Sequence, residues 1–415
     1  MAVLILNRLD PAAVGYAATL GPADDLYLLS DAADVTEAQL EECRGAVAHA
    51  ELVHFDEQDG RALDRRVDEL ERRAGFHHVV AVSEADLVRA GRVRDRLGLP
   101  GQGERSALAF RDKLSMKRLA AGAGIAVPAF RAVAQPSDVA DFAAEHGLPV
   151  VVKPVMGTGS ADTWVLRTGA DVEAWVEDSR TSRGAGPAME VEVFVPGTMY
   201  HIDGLVHEGE LVACLPSRYV GDCLSFVYGE PQASYTLAPG DPLVEPLLEF
   251  TGRLLRALPT PATTAFHAEA FQSGDDLVLC EVASRVPGPL IPEQLQAAYG
   301  IDLRSAHIRG QAGVPLELVA PEGLRRPRSL AAELVIPPRR GWAVRSRPSC
   351  PLAGVVEFLL GVEPGSVMSD PRDINDWSGA FVLQADTEEE ILERIRMTAA
   401  WFEEQLERVA VDAVV

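Results

Sequence analysis

Val150-Val151-Val152-Lys153-Pro154-Val155-Met156-Gly157-Thr158-Gly159-Ser160 is the stretch on which the fold turns. Three β-branched residues between Pro149 and Pro154 read as a short buried strand, and the strand delivers one lysine at its end. The loop that follows carries two glycines. Such a loop lays backbone N–H groups on phosphate oxygens, because glycine permits close approach and positive φ, while the lysine adds a point charge. It is not a Walker A loop, since no Gly-Lys-Ser/Thr precedes a helix. Taken alone, the stretch fits an ordinary β-turn with a strand-end lysine equally well.

Upstream, residues 136–146 read as a helix stopped at Gly147, and a further helix carries Arg111-Asp112-Lys113-Leu114-Ser115-Met116-Lys117-Arg118 and ends near Gly122-Ala123-Gly124. Residues 98–103, Gly-Leu-Pro-Gly-Gln-Gly, read as a linker. Before it, apolar runs at 3–6, 26–29, 52–55 and 79–82 alternate with helix-like segments at 61–73 and 84–97, the pattern of a parallel α/β layer. Downstream of Pro187 the chain is strand-rich (through Val195, then 202–206, 210–215, 263–271 and 277–282), which predicts a large, mainly antiparallel sheet. A last strand at 381–384 and an acidic amphipathic helix at 387–409 close the chain. The expected division is a parallel α/β domain at 1–103, a central helix with a small lid subdomain at 104–187, and a large α+β domain with its extension at 188–415.

Downstream, Phe266-His267-Ala268-Glu269-Ala270-Phe271 and Leu277-Val278-Leu279-Cys280-Glu281-Val282-Ala283-Ser284-Arg285 flank the turn residues Gln272-Ser273-Gly274-Asp275-Asp276. A hairpin there pairs the strands antiparallel and sets Glu269 and Glu281 on one face. Paired carboxylates attract hard divalent cations, which share oxygen ligands with nucleotide phosphates. Arg285 offers a planar guanidinium for a carboxylate or a transferring phosphoryl group. Arg218, near a strand end, is a weaker candidate for a substrate carboxylate. His201 and His267 alternate with apolar residues and read first as packing residues, with His267 kept as a substrate candidate; Cys280 reads as core.

Composition bounds the rest. The chain has 415 residues, 47% of them apolar, which is enough for two or three packed domains. Its 62 acidic against 38 basic residues give a formal charge of −24, a field that repels nucleic acid and anionic membrane. The N-terminal apolar run is too short for a signal peptide or a membrane span, and reads as a first strand. Five cysteines without CxxC spacing argue against a disulfide framework or a zinc site and for a reducing cytosol.

Together the lysine, the glycine loop, the two glutamates and the arginine resemble the ATP-grasp superfamily, over about residues 110–303. The resemblance implies ATP and Mg2+ (or Mn2+) as cofactors. Lys113 and Lys153 match its two conserved lysines, and Gly157, Thr158, Gly159 and Ser160 its mobile phosphate loop. Glu192-Val193-Phe194-Val195-Pro196-Gly197 resembles the hinge where a glutamate and backbone groups (Glu192, Val193, Val195) hold adenine. Glu269 and Glu281 match the metal acids, and Arg285 the arginine that meets an acyl phosphate. The order Glu281 to Arg285 followed by Pro287-Gly288, with Tyr200-His201-Ile202-Asp203-Gly204, is closest to the L-amino-acid ligase and dipeptide synthase branch, which adds Gly288 as a substrate contact. Met199 stands where many relatives have a ribose-binding glutamate, Ala283 where the commoner pattern has a metal-binding asparagine, and Ala161-Asp162 where a glycine is frequent.

The implied reaction joins a small carboxylic acid to an amine through an acyl phosphate, with release of ADP and phosphate and no protein nucleophile. Homodimers are usual among such proteins. The alternatives are a carboxylase or kinase-like relative with another acceptor, for which a biotin-carrier motif is missing, and a nucleotide-binding module without turnover.

Overall fold

The computed structural model describes residues 1–21, 25–55, 61–181, 187–221, 224–316 and 326–409. Cys223 lies outside them. Among the described residues no helix is long and apolar enough to cross a membrane.

The N-terminal strands β1 (Val3–Asn7), β2 (Leu26–Asp31), β3 (His49–Val53) and β4 (His78–Ala81) form a parallel sheet in the order β3-β2-β1-β4. β1 and β2 are buried almost throughout because helices cover both faces, which is why they read as unbroken apolar runs. The strand order reverses between β1 and β4, and the crevice at such a reversal opens at the carboxyl ends of the strands. There the chain leaves β4 and makes a short 3-10 turn, Glu84–Asp86, before the helix Leu87–Leu97. The 84–97 segment is thus two elements, and the turn aims Glu84 out of the sheet edge.

The single helix expected across 111–118 is two helices, Glu104–Arg111 and Lys113–Gly122. Asp112 breaks them in extended geometry and caps the second by accepting from Ser115 N at 2.8 Å. Lys113 therefore starts a helix instead of lying inside one.

A second sheet contains β5 (Phe130–Val133), β6 (Val150–Pro154), β7 (Trp164–Leu166) and β8 (Met189–Val193), antiparallel in the order β5-β8-β6-β7. The helices Ser137–His146 and Gly169–Thr181 pack on it around Val139, Phe142, Val150, Val152, Val172 and Val191. This small body has its own core. It is expected to close on nucleotide, so hydrogen exchange over the described part of 125–187 should slow when Mg-ATP is added; unchanged exchange there would exclude a closing lid.

The third sheet is antiparallel and eight-stranded: β13 (Asp276–Ala283), β12 (Thr264–Ser273), β9 (Thr198–His207), β10 (Glu210–Val220), β11 (Gln232–Thr236), β14 (Leu330–Ile336), β17 (Gly379–Ala385) and β16 (Val355–Leu360). β15 (Trp342–Val344) pairs with β18 (Leu406–Arg408) in a small separate ribbon. The predicted terminal helix is therefore shorter, Glu388–Glu403, with Leu406–Arg408 turned into that ribbon. On one face of the large sheet, Ile202, Phe266, Ala268 and Leu279 pack under the helix Val244–Ala257. Its other face carries one apolar patch against the helices Ile291–Tyr299 and Leu303–Gln311 and another around Val335, Ala380 and Val382, with polar groups between and beside them. A large sheet seldom leaves so many polar groups inside, and they mark the site.

Candidate active site

The hairpin predicted around Gly274 forms, with φ 62° at that glycine, and it pairs Glu269 directly with Glu281. Directly opposed residues share a face at a Cβ separation of about 5 Å, so the two carboxylates face a common point. Each is held. Tyr219 donates to Glu269 Oε1 at 2.8 Å, and Lys113 Nζ lies 3.0 Å from Glu281 Oε2. Burial raises the Glu281 pKa, but Lys113 and Lys153 outweigh it and hold the carboxyl well below the usual range.

Lys113 Nζ also donates to the carbonyl of Gly157 at 2.9 Å, which joins the glycine loop to the glutamate pair. Gly159 and Ser160 both have positive φ, 62° and 61°. The loop is thus curled in a left-handed turn that its glycine accommodates at little cost. At the other end of the small sheet, the chain enters β9 through Gly197, whose φ is 146°. A Cβ there would lie 2.0 Å from the carbonyl oxygen of Gln272, so the hinge needs glycine.

Lys153 leaves the end of β6 and meets Glu192 Oε1 at 2.7 Å. Lys117 completes this group, and sequence reasoning passed over it. Its Nζ is fully buried, 2.6 Å from Glu190 Oε1 and also paired with Glu192 Oε2. Two lysines and two glutamates thus form one buried network. Within it burial pushes the Glu190 carboxyl up, while Lys153 and Lys117 overcome burial and hold Glu192 down. Replacing Lys117 by methionine would leave two buried carboxylates to one cation. The expected loss is about 3–5 kcal/mol of unfolding free energy, read from denaturant curves; a loss under about 1 kcal/mol would mean that the network is solvated after all.

A further residue outside the predicted set is Glu84. It accepts from Arg285 Nε at 2.6 Å and is also bonded to Arg111, whose Nη2 donates to the Met156 carbonyl at 2.6 Å. Arg285 and Glu84 are separated by 201 residues, so no local pattern announces them. Their pairing brings the crevice of the N-terminal sheet to the glutamate pair. Burial works against charge on Arg285, and Glu84, with Glu281 and Glu269, more than compensates.

His267 and His201 are buried, and each has polar partners at both ring nitrogens. Asp203 lies between them, with Oδ1 2.7 Å from His267 Nδ1 and Oδ2 2.5 Å from His201 Nδ1. Burial alone would lower the His267 pKa, but Asp203, with help from Glu269, lifts it to about 10. His267 Nε2 is 3.5 Å from Glu269 Oε1, so this candidate borders the glutamates. Among the described residues, His201, Asp203 and His267 are also a group with metal-ligating atoms within 4.8 Å of one another. Both Nδ1 atoms are engaged by Asp203, which makes the arrangement a hydrogen-bonded group.

Arg218 is not brought to the others. It sits opposite Tyr200 and Tyr235, on the face away from Glu269, half-exposed and 3.7 Å from Glu388. The alternation of β10 sends its neighbours Ser217 and Tyr219 inward instead. Gly288 follows β13 in the loop that leads to Leu290.

Comparison with known proteins places this geometry in context. No family model matches the chain. It is 26% identical over 235 residues to the L-arginine-specific L-amino acid ligase of Bacillus subtilis, a match covering 55% of this chain and 56% of that protein. The chain thus matches little more than half the length of that relative. Its structure superposes on the L-amino acid ligase from Bacillus licheniformis with a TM-score of 0.77 and 17% identity, over 98% of both chains. Carboxyaminoimidazole ribonucleotide synthase from Aspergillus clavatus, solved with ATP, gives a TM-score of 0.72 at 16% identity over 97% of this chain and 98% of that one.

Proposed function

Taking as premise that the chain has the ATP-grasp fold, we propose that it is an ATP-dependent carboxylate–amine ligase that releases ADP and phosphate. The observation that carries this reading is the convergence of three bodies on one buried point. The small sheet supplies Lys153 and the glycine loop, the large sheet Glu269, Glu281 and Arg285, and the N-terminal crevice Glu84.

The residues fit nucleotide and metal. Two opposed carboxylates are the hard oxygen donors that magnesium prefers, and the metal when bound would neutralise phosphate charge between them. Lys113 and Lys153 would hold phosphate oxygens together with the loop of Gly157, Gly159 and Ser160, whose Gly157 N–H donates to the Pro154 carbonyl at 3.3 Å in this structure. Glu192, Val193 and Val195 would hold the base at the hinge. Their contacts with glutamates keep both lysines desolvated and aimed, so little reorganisation is needed when phosphates replace those partners.

The carboxylate to be activated lies by Arg285 in this reading. Attack of its oxygen on the γ-phosphorus forms an acyl phosphate and frees ADP, and the amine then displaces phosphate. Positioning and charge neutralisation supply most of the rate. Glu84 keeps the Arg285 guanidinium in place before substrate arrives. The acceptors are small molecules, and the free thiols Cys43, Cys214, Cys280 and Cys350 fit a reducing cytosol.

The test is a phosphate-release screen over amino acids and small carboxylates, with hydroxylamine offered as the amine. Carboxylate-dependent ADP and phosphate with a hydroxamate product are expected. AMP and pyrophosphate would mean adenylation and would overturn the mechanism; phosphate release with bicarbonate alone would move the chain to the carboxylase reading.

A further inference from the structure

The face that carries Glu269 continues across the sheet. Glu269 stands opposite His201, His201 opposite Ser217, Tyr219 opposite Ser234, and Ser234 opposite Glu333. Opposed residues share a face, so Glu333 points to the same side as the glutamate pair, four strands farther along. The face is concave: His201 Nε2 lies 2.8 Å from Ser234 Oγ although a whole strand, β10, runs between them.

Glu333 is 1% exposed. Its Oε2 accepts from Leu290 N at 3.3 Å, just past Pro287-Gly288, and its Oε1 has no hydrogen-bond partner among the described residues. Burial pushes this carboxyl up to about 8, and the carboxylates of Asp203 and Glu293 add to the effect against His267. Glu293, on the helix Ile291–Tyr299, lies nearby and differs in having a counter-charge. Its Oε1 is 2.8 Å from Arg304, while its Oε2 is buried without a partner among the described residues. Glu357 stands opposite Val382, which stands opposite Glu333, and is likewise pushed up by burial and by Glu293.

A buried carboxylate without a counter-charge destabilises a fold, and natural chains keep such groups where a ligand supplies the missing charge. We propose that Glu333, assisted by Glu293, recognises a cationic nitrogen of the substrate that lies remote from the reacting carboxylate, so that the carboxylate substrate is a basic amino acid. The assignment of the reacting end to Glu281 and Arg285 rests on the ligase reading above. Four strand spacings, about 19 Å between backbones along a flat sheet, separate the strands of Glu269 and Glu333. Curvature and inward side chains close the gap: Glu333 lies within electrostatic reach of His267, whose Nε2 is 3.5 Å from Glu269 Oε1. An α-ammonium sits on the carbon next to its carboxylate and does not reach. A side-chain ammonium or guanidinium extends several bonds farther toward Glu333, and pairs with a carboxylate through charge-assisted bonds.

The experiment is calorimetric titration of the full chain, in Mg-ADP, with L-lysine, L-arginine, L-norleucine and 6-aminohexanoate. Lysine or arginine should bind at least about tenfold more tightly than norleucine, and 6-aminohexanoate should keep most of the affinity that its terminal ammonium provides. Glu333→Gln should weaken the ligands with a remote cation by roughly 10- to 100-fold and leave norleucine unchanged or tighter. Its melting temperature at pH 8–9 should not fall, since the variant removes an uncompensated charge. Equal binding of norleucine and lysine by the unmodified chain, binding of none of the four, or equal weakening of all by the variant overturns the proposal. Turnover is scored separately. Glu333-dependent lysine binding without ADP release would overturn the ligase reading and keep this one; ADP release indifferent to a remote cation and to Glu333→Gln would do the reverse.

Discussion

Glu281→Ala is expected to lower ligase turnover by about 10³-fold or more while the protein stays folded. The variant removes one of the two opposed carboxylates, and a metal held at such a pair supplies several kcal/mol of charge stabilisation. At 1.36 kcal/mol per tenfold, a loss of about 4 kcal/mol is three decades of rate. A second effect adds to the first, since Lys113 loses the partner 3.0 Å away and keeps only the Gly157 carbonyl. The fold survives because Glu281 sits at the site's edge of β13, whose packing comes from Leu279 and Val282 on the opposite face. Circular dichroism and the melting temperature check that. Near-normal turnover by a folded variant would remove Glu281 from the metal site.

Arg285→Ala is the second large effect. The variant strips a cation from the carboxylate and from the phosphoryl group in transfer, and by comparison with losing one oxyanion-hole donor the rate should fall about 10² to 10³-fold. KM for the carboxylate should move less, because the guanidinium acts most strongly on charge that develops in the transition state. The structure adds a consequence, since Arg285 is also the partner of Glu84 at 2.6 Å. Glu84→Gln, which leaves the guanidinium in place but unrestrained, should show a smaller loss of the same kind. A large rise in KM with unchanged kcat for Arg285→Ala would make it a ground-state binding group only.

The sequence by itself determined the parts whose signals are local. The apolar run 150–152 ending in Lys153, the glycines at 157 and 159, and the hairpin turning at Gly274 all depend on neighbours within about a dozen residues. Side-chain alternation in a strand has period 2. A turn at Gly274 alone would oppose Glu269 to Cys280 and send Glu281 to the other face. The bulge between Glu269 and Ala270 shifts the register by one residue and brings the two glutamates together, and only the structure shows it. The parallel N-terminal layer and the antiparallel character of the large sheet were legible for the same reason. Element boundaries were less so. Asp112 looks like any residue inside a helical pattern until its side chain is seen capping Ser115, and the end of the 387–409 segment leaves the helix because β15 offers it a strand partner.

Only the tertiary structure decided what meets across long separations. Lys117 reads as one more basic residue on a helix, yet it neutralises Glu190 and Glu192, 73 and 75 residues away. Glu84 reads as a helix start, and Glu333 as the one polar residue in an apolar strand. Arg218 read as a site residue and lies on the other face, because one step along a strand reverses the direction of a side chain. Burial and charge are properties of the assembled environment. A carboxylate becomes a binding feature only when the fold removes its water and withholds its counter-charge, and no spacing in the chain encodes that.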